Sequence, residues 1–164
     1  MNKIVKEIIS YIIIIIIVVL VKEFIITPIK VNGTSMENTL RNGDLMILDK
    51  FSYRFTDIKR FDIVVLKMDD EYLIKRVIGL PGDKVVYKDN QLYINDKVIK
   101  ESFNHKETSD YIMDEKIPDN YYFVVGDNRP VSIDSRIIGL VHENDILGKT
   151  SLVLFPFNRI GIKN

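Results

Sequence analysis

The chain has no cysteine among its 164 residues, which excludes a disulfide framework, a thiol nucleophile and any metal site built on thiolates. That absence is consistent with a protein working outside the cytoplasm. It has no excess of either charge: Lys and Arg total 23, Asp and Glu total 23, and no basic stripe argues for a nucleic-acid partner. Histidine is scarce. His105 and His142 stand far apart without ligand-spaced partners, so neither a metal centre nor a Ser-His-Asp triad is expected. No internal repeat, low-complexity linker or second folded domain is visible.

What the chain does have is a long apolar run near its start. Residues 1–7 carry Lys3 and Lys6, and residues 8–21 are then apolar apart from Ser10 and Tyr11, with six consecutive isoleucines from Ile12. Fourteen helical residues span only about 21 Å, so the helix is expected to continue through Lys22 and Glu23 to Ile26, reaching about 28 Å of the roughly 30 Å hydrocarbon core. A cleavable signal peptide shares the basic start and apolar centre, but the bulky Phe24-Ile25-Ile26-Thr27-Pro28 offers no small-x-small cleavage site. The expectation is a retained single-pass anchor in the plasma membrane: residues 1–7 cytoplasmic, 8–26 in the lipid bilayer, and 27–164 an extracytoplasmic domain, by the positive-inside rule.

After Ile29 the pattern changes to short β-branched runs separated by turn residues, which predicts an all-β domain behind one transmembrane α-helix. Residues 45–48, 62–67 and 72–78 read as strands, the last two joined across Asp69-Asp70-Glu71. Residues 84–87 and 92–94 form a hairpin around Asp89-Asn90, and a second tight turn at Asn95-Asp96 leads to Val98 and Ile99. Residues 121–125 are a strong strand and 150–154 a closing one. Residues 101–120 are polar and poorly periodic, and are expected to form a surface excursion with at most one helical turn.

Three stretches carry chemistry. Ser35, in Gly33-Thr34-Ser35-Met36, is a candidate nucleophile, although the tetrapeptide alone is an ordinary turn; a serine hydroxyl needs a base and a group to hold the oxyanion. The strand at residues 72–78 offers the base. Alternation puts Leu73, Lys75 and Val77 on one face and lets Arg76 face water. At a pKa near 10.4 roughly one lysine in 2,500 is neutral at pH 7, whereas desolvation can bring the value down to about 7 to 8. The third stretch runs from Gly126 to Arg136 and packs polar side chains directly after the most apolar strand. It suggests a hydrogen-bonded loop that orients other groups, with Asp134 and Arg136 able to pair.

Together these stretches resemble the type I signal peptidases, the bacterial leader peptidase family of membrane-bound Ser-Lys endopeptidases, in its short Gram-positive-like form. The resemblance lies in Gly33-Thr34-Ser35-Met36-x-x-Thr39-Leu40, in Arg60-Phe61-Asp62-Ile63-Val64-Val65, in the run from Tyr72 to Asp83, and in Gly126-Asp127-Asn128-Arg129-x-x-Ser132-x-Asp134-Ser135-Arg136. It implies that Ser35 attacks, that Lys75 takes its proton, that Ser132 positions Lys75, and that Asp127, Asp134 and Arg136 support the site. It suggests Val31, Met36, Leu40 and Ile74 as walls of shallow apolar pockets taking the small-x-small end of a signal peptide on an exported preprotein. It implies neither cofactor nor metal. Where some members place a serine hydroxyl for the oxyanion this chain has Gly33, so the hole would rest on backbone N–H groups, that of Ser35 among them. Two residues depart from the family pattern: Asn38 stands where proline is usual, and Phe61 where glycine is. A dedicated Ser-Lys maturation protease, or a non-catalytic anchored β-domain binding extended peptides, would fit the same residues.

Overall fold

The computed structural model describes residues 2–68 and 71–163. Helix α1 covers Lys3–Phe24, and all its residues are accessible rather than packed against the domain. It begins earlier and ends sooner than the sequence suggests, because Ile26 is already in strand β1 (Ile26–Lys30). Pro28 disfavours the α conformation in Thr27, and β1 instead pairs antiparallel with β2 (Leu45–Asp49), Ile26 opposite Asp49. The 22-residue helix spans about 33 Å.

The domain continues with β3 (Ile63–Met68), β4 (Glu71–Gly79), β5 (Val85–Lys88), β6 (Gln91–Ile94), β7 (Lys97–Ile99), β8 (Tyr111–Ile112) and β9 (Tyr121–Val125). A short helix α2 (Ser135–Ile138) precedes β10 (Val141–His142), β11 (Ile146–Phe155) and β12 (Gly161–Ile162). The connection expected at Asp69-Asp70-Glu71 lies partly outside the described residues. One antiparallel sheet runs β1-β2-β11-β3-β4-β9-β10 with β12 beside β11, and a second runs β7-β6-β5-β8. Both expected hairpin turns are present, with Asp89, Asn90, Asn95 and Asp96 all at positive φ, the conformation that tight two-residue turns require.

Strand β9 shows why so apolar a run was needed. Tyr122 and Val124 enter one core with Val64, Leu66 and Val77, while Phe123 and Val125 enter another with Ile78, Val85, Tyr87 and Leu92. Both faces are covered, so alternation gives way to a continuous apolar segment. Residues 101–120 are mostly exposed, as a surface excursion should be, but they are more ordered than expected. They contain no helical turn but supply β8 to the second sheet, and Met113 and Ile117 complete its core. The strand expected at residues 150–154 is longer and lies inside the large sheet, between β2 and β3, with a bulge between Ile146 and Gly148 that masks its period.

Candidate active site

The pairing of β4 decides where the site lies. Its residues Arg76, Val77 and Gly79 pair with β9, opposite Val125, Val124 and Phe123, and the two strands then part. Toward the other end, Glu71 to Lys75 are paired only with β3. Into this fork the chain after β9 sends Gly126, Asp127 and Asn128.

Lys75 is 2% exposed, and its Nζ donates to Ser132 Oγ at 3.1 Å. Burial pushes its pKa below the usual lysine value; Asp134 pulls it back in part, and Arg136 adds to the fall. Asp134 is fully buried, caps α2, and accepts from Arg136 Nε (2.8 Å) and Nη2 (2.7 Å) and from the Gly126 N–H (3.0 Å). Burial works against its charge, but Arg136, the Gly126 N–H and the Ser132 hydroxyl outweigh burial and hold its carboxyl below the usual carboxylate range. The expected Asp134–Arg136 pair is therefore present, although it closes a helix N-terminus rather than lying along an extended segment.

Ser35 is partly accessible, in the turn that follows β1. Its carbonyl accepts from the Asn128 N–H at 2.9 Å. A Cβ added at Gly126 would overlap both Ser132 Oγ and the Ser35 carbonyl, so only glycine lets the Ser35 turn and the Ser132 shelf close on the same point. Among the described residues the Ser35 N–H has no acceptor, whereas the Gly33 N–H donates to Asn42 Oδ1 at 3.0 Å and is unavailable to a substrate. Of the two oxyanion candidates, Ser35 alone keeps its amide free.

Arg76 does not face water as alternation suggests. It is 1% exposed, and its guanidinium donates to both carboxylate oxygens of Asp127, at 2.9 and 2.7 Å, and to the Phe61 carbonyl. Asp127 in turn accepts from Thr39 Oγ1, which fastens the far end of the Ser35 turn to the same buried pair. A second clamp comes from the C-terminal segment, where Arg159 donates to both oxygens of Asp44 and to the Thr39 carbonyl. Neither clamp is legible in sequence spacing, since the partners lie many residues apart.

The four apolar wall residues divide. Val31, Met36 and Leu40 are buried in a core with Met46 and Ile63, and only Ile74 keeps accessible surface. They form the layer behind a groove of about 690 Å³, which Ile74 lines together with Ile29, Asn32, Tyr72 and Leu73. β1 and its extension supply one side of the groove, and the singly paired half of β4 supplies the other.

Both departures from the family pattern sit at positive φ, Asn38 at 114° and Phe61 at 72°. Phe61 holds a conformation that favours glycine and packs its ring on Phe103 at 5.3 Å. Asn38 holds one that proline cannot reach. Asn38→Gly is expected to raise the melting temperature of the solubilised protein by a few degrees, since relieving such a residue is worth about 1 kcal/mol. Asn38→Pro is expected to lower it, and thermal unfolding of the two variants side by side checks the sign.

Residues 4–155 match the family described as "Signal peptidase, peptidase S26". The chain is 44% identical to signal peptidase I V of Bacillus subtilis, over 80% of this chain and 87% of the relative. It is 37% identical to signal peptidase IB of Staphylococcus aureus, over 93% and 92%. The crystal structure of a signal peptidase I from Enterococcus faecalis superposes with a TM-score of 0.51 at 33% identity, covering 57% of this chain and 97% of that one. With that match running from the apolar helix through β11, the chain belongs to the signal peptidase I family of serine endopeptidases.

Proposed function

We propose that the chain frees exported preproteins from their signal peptides with Ser35 as nucleophile and Lys75 as general base, at the outer face of the membrane. The observation that carries this reading is the buried Lys75, whose pKa is lowered and whose ammonium is held by Ser132 Oγ. Burial that costs stability is retained where the neutral amine has work to do.

In the proposed reaction Ser35 Oγ bonds to the scissile carbonyl carbon, the carbonyl electron pair moves to oxygen, and the serine proton passes to Lys75 Nζ. The returning pair expels the amine of the mature protein, which takes that proton from Lys75 and leaves an ester on Ser35. Water, deprotonated by Lys75, then attacks the ester carbon; the returning pair expels Ser35 Oγ, which takes that proton from Lys75, and the signal peptide leaves with a new carboxylate. Ser132 accepts an N–H of Lys75 while its own hydroxyl turns to Asp134, which leaves the lysine lone pair for Ser35.

The groove supports an extended substrate laid between β1 and the open edge of β4, with alternate side chains against Ile29 and Ile74. Small residues are expected before the cut, as the family resemblance implies. The placement beside the bilayer is supported by α1, which is long and apolar enough to cross, with Lys3 and Lys6 on its leading side. The Lys50 N–H donates to the Ile25 carbonyl and Lys50 Nζ to that of Glu23, so the domain abuts the helix end.

Purified protein in detergent, given a preprotein with alanine immediately before the scissile bond, is expected to make a single cut there. Phenylalanine at that position should slow cleavage by at least about 10²-fold. An intact alanine substrate would overturn the reading; equal cutting of both would remove the groove from it.

A further inference from the structure

Gly126, Asp127 and Asn128 each hold a different part of the site, and the reaction above gives no role to the last. Asn128 is buried. Its backbone N–H donates to the Ser35 carbonyl at 2.9 Å, and its side-chain Nδ2 donates to the Thr34 carbonyl at 3.0 Å. The Thr34 carbonyl and the Ser35 N–H belong to one peptide unit. In a planar trans peptide they point in opposite directions, so a donor fixed on Thr34 O also fixes where the Ser35 N–H points. A hydrogen bond to that oxygen further polarises the amide and strengthens its N–H as a donor.

A second observation separates this residue from ordinary loop packing. Among the described residues, none donates to the buried Asn128 Oδ1. Such an acceptor costs about 1–3 kcal/mol, which offsets the stability gained from the Nδ2 hydrogen bond. Stability alone does not select asparagine here. The useful half of the side chain is its N–H, aimed at the Thr34 carbonyl.

We infer that Asn128 is a positioning residue for transition-state stabilisation, locking the Thr34–Ser35 peptide so that the Ser35 N–H meets the oxyanion. The inference rests on Ser35 being the nucleophile. As the Ser35 Oγ–carbon bond forms and the carbonyl pair moves to oxygen, the charge appears where this N–H already points, and no reorganisation is needed at that moment.

The test uses the full chain in detergent and a substrate-derived peptide aldehyde, whose carbonyl accepts Ser35 Oγ to give a tetrahedral adduct, beside the corresponding unreactive peptide alcohol. In the wild type the Ser35 amide proton should move downfield on adding the aldehyde and stay in place with the alcohol. Asn128→Asp keeps the shape but replaces the donor with an acceptor, and Asn128→Ala removes it. Both should lower kcat by about 10²- to 10³-fold with KM nearly unchanged, weaken the aldehyde in proportion and leave alcohol affinity intact. The pH midpoint of kcat should not move, because Lys75 is untouched. An adduct that leaves the Ser35 amide unshifted would overturn the inference together with the assignment of that N–H to the oxyanion. A shifted wild-type amide, with variants that lose aldehyde and alcohol equally or keep full kcat, would overturn the role of Asn128 alone. Should neither variant fold, the wild-type spectrum still decides: the Asn128 side-chain amide must exchange slowly in the free and adduct states, and rapid exchange overturns the inference.

Discussion

Lys75→Met should abolish cleavage and, at neutral pH, make the protein more stable. The two effects come from one group. Methionine fills much of the volume of the lysine stem but has no lone pair basic enough to take the Ser35 proton, and removing one member of a catalytic pair typically costs at least about 10⁴-fold in kcat. The stability gain follows from burial, which disfavours the ammonium and lowers its pKa in the fold. A lysine whose folded pKa lies below its unfolded value binds fewer protons when folded. Wild-type stability therefore carries the full penalty below the folded pKa and recovers as pH rises toward the ordinary lysine value. The advantage of Lys75→Met is thus largest at neutral pH and shrinks in alkali. Wild-type activity should climb over the lower part of the same window, since only neutral Lys75 is a base. Ser35→Ala provides the contrast: equally inactive, without the pH-dependent gain. Thermal unfolding and kcat measured between pH 6 and 10 check both arms. A flat activity profile across pH 6 to 9, or substantial activity in Lys75→Met at pH 7, would sink the assignment.

The residues proposed for the chemistry stand out in the sequence because their types are costly in their settings. A lysine on an apolar strand face, and a dense polar run after a doubly buried strand, each ask for an explanation that ordinary packing does not give. Continuously apolar strands and paired turn residues were legible for the reason that β9 and the Asn-containing hairpins show: local sterics and burial fix them. Arg76 was misread because alternation says which face a side chain leaves, not what waits there, and its partner Asp127 comes from another strand end. The order within residues 101–120 went unread because it is borrowed. Glu101 and Thr108 are held by Arg129, and Met113 and Ile117 pack against β5 and β9, so no local period announces them. The limit of α1 was missed for a related reason: Ile25 and Ile26 suit lipid and strand equally, and the pairing with β2 decides.

Breaking the buried pair beneath the site should have the largest effect on stability. Arg76 holds Asp127 through two hydrogen bonds, caps the Phe61 carbonyl, and lies 3.8 Å from the centre of the Phe103 ring. Arg76→Met removes the cation hydrogen-bonded to a carboxylate that is 0% exposed, leaving it Thr39 as its remaining side-chain hydrogen-bond partner among the described residues. An uncompensated buried charge of this kind costs about 3–5 kcal/mol, far more than the intact pair contributes over a well-packed apolar replacement. For a chain of this size that corresponds to a fall in melting temperature of roughly 6–20 °C. The double variant Arg76→Met with Asp127→Leu discards both charges and should recover most of the loss. Activity should not recover with it. Thr39 would have lost the carboxylate that fastens the far end of the Ser35 turn, and a nucleophile misplaced by about 1 Å can lose 10²-fold in rate. Unfolding and kcat measured across the full double-mutant cycle therefore separate the two roles of the pair. If Arg76→Met melted within a degree or two of the wild type, the buried pair would not be what holds this corner of the fold. If the double variant regained activity along with stability, Asp127 would be a structural counter-ion and the anchoring of Thr39 would have no part in catalysis.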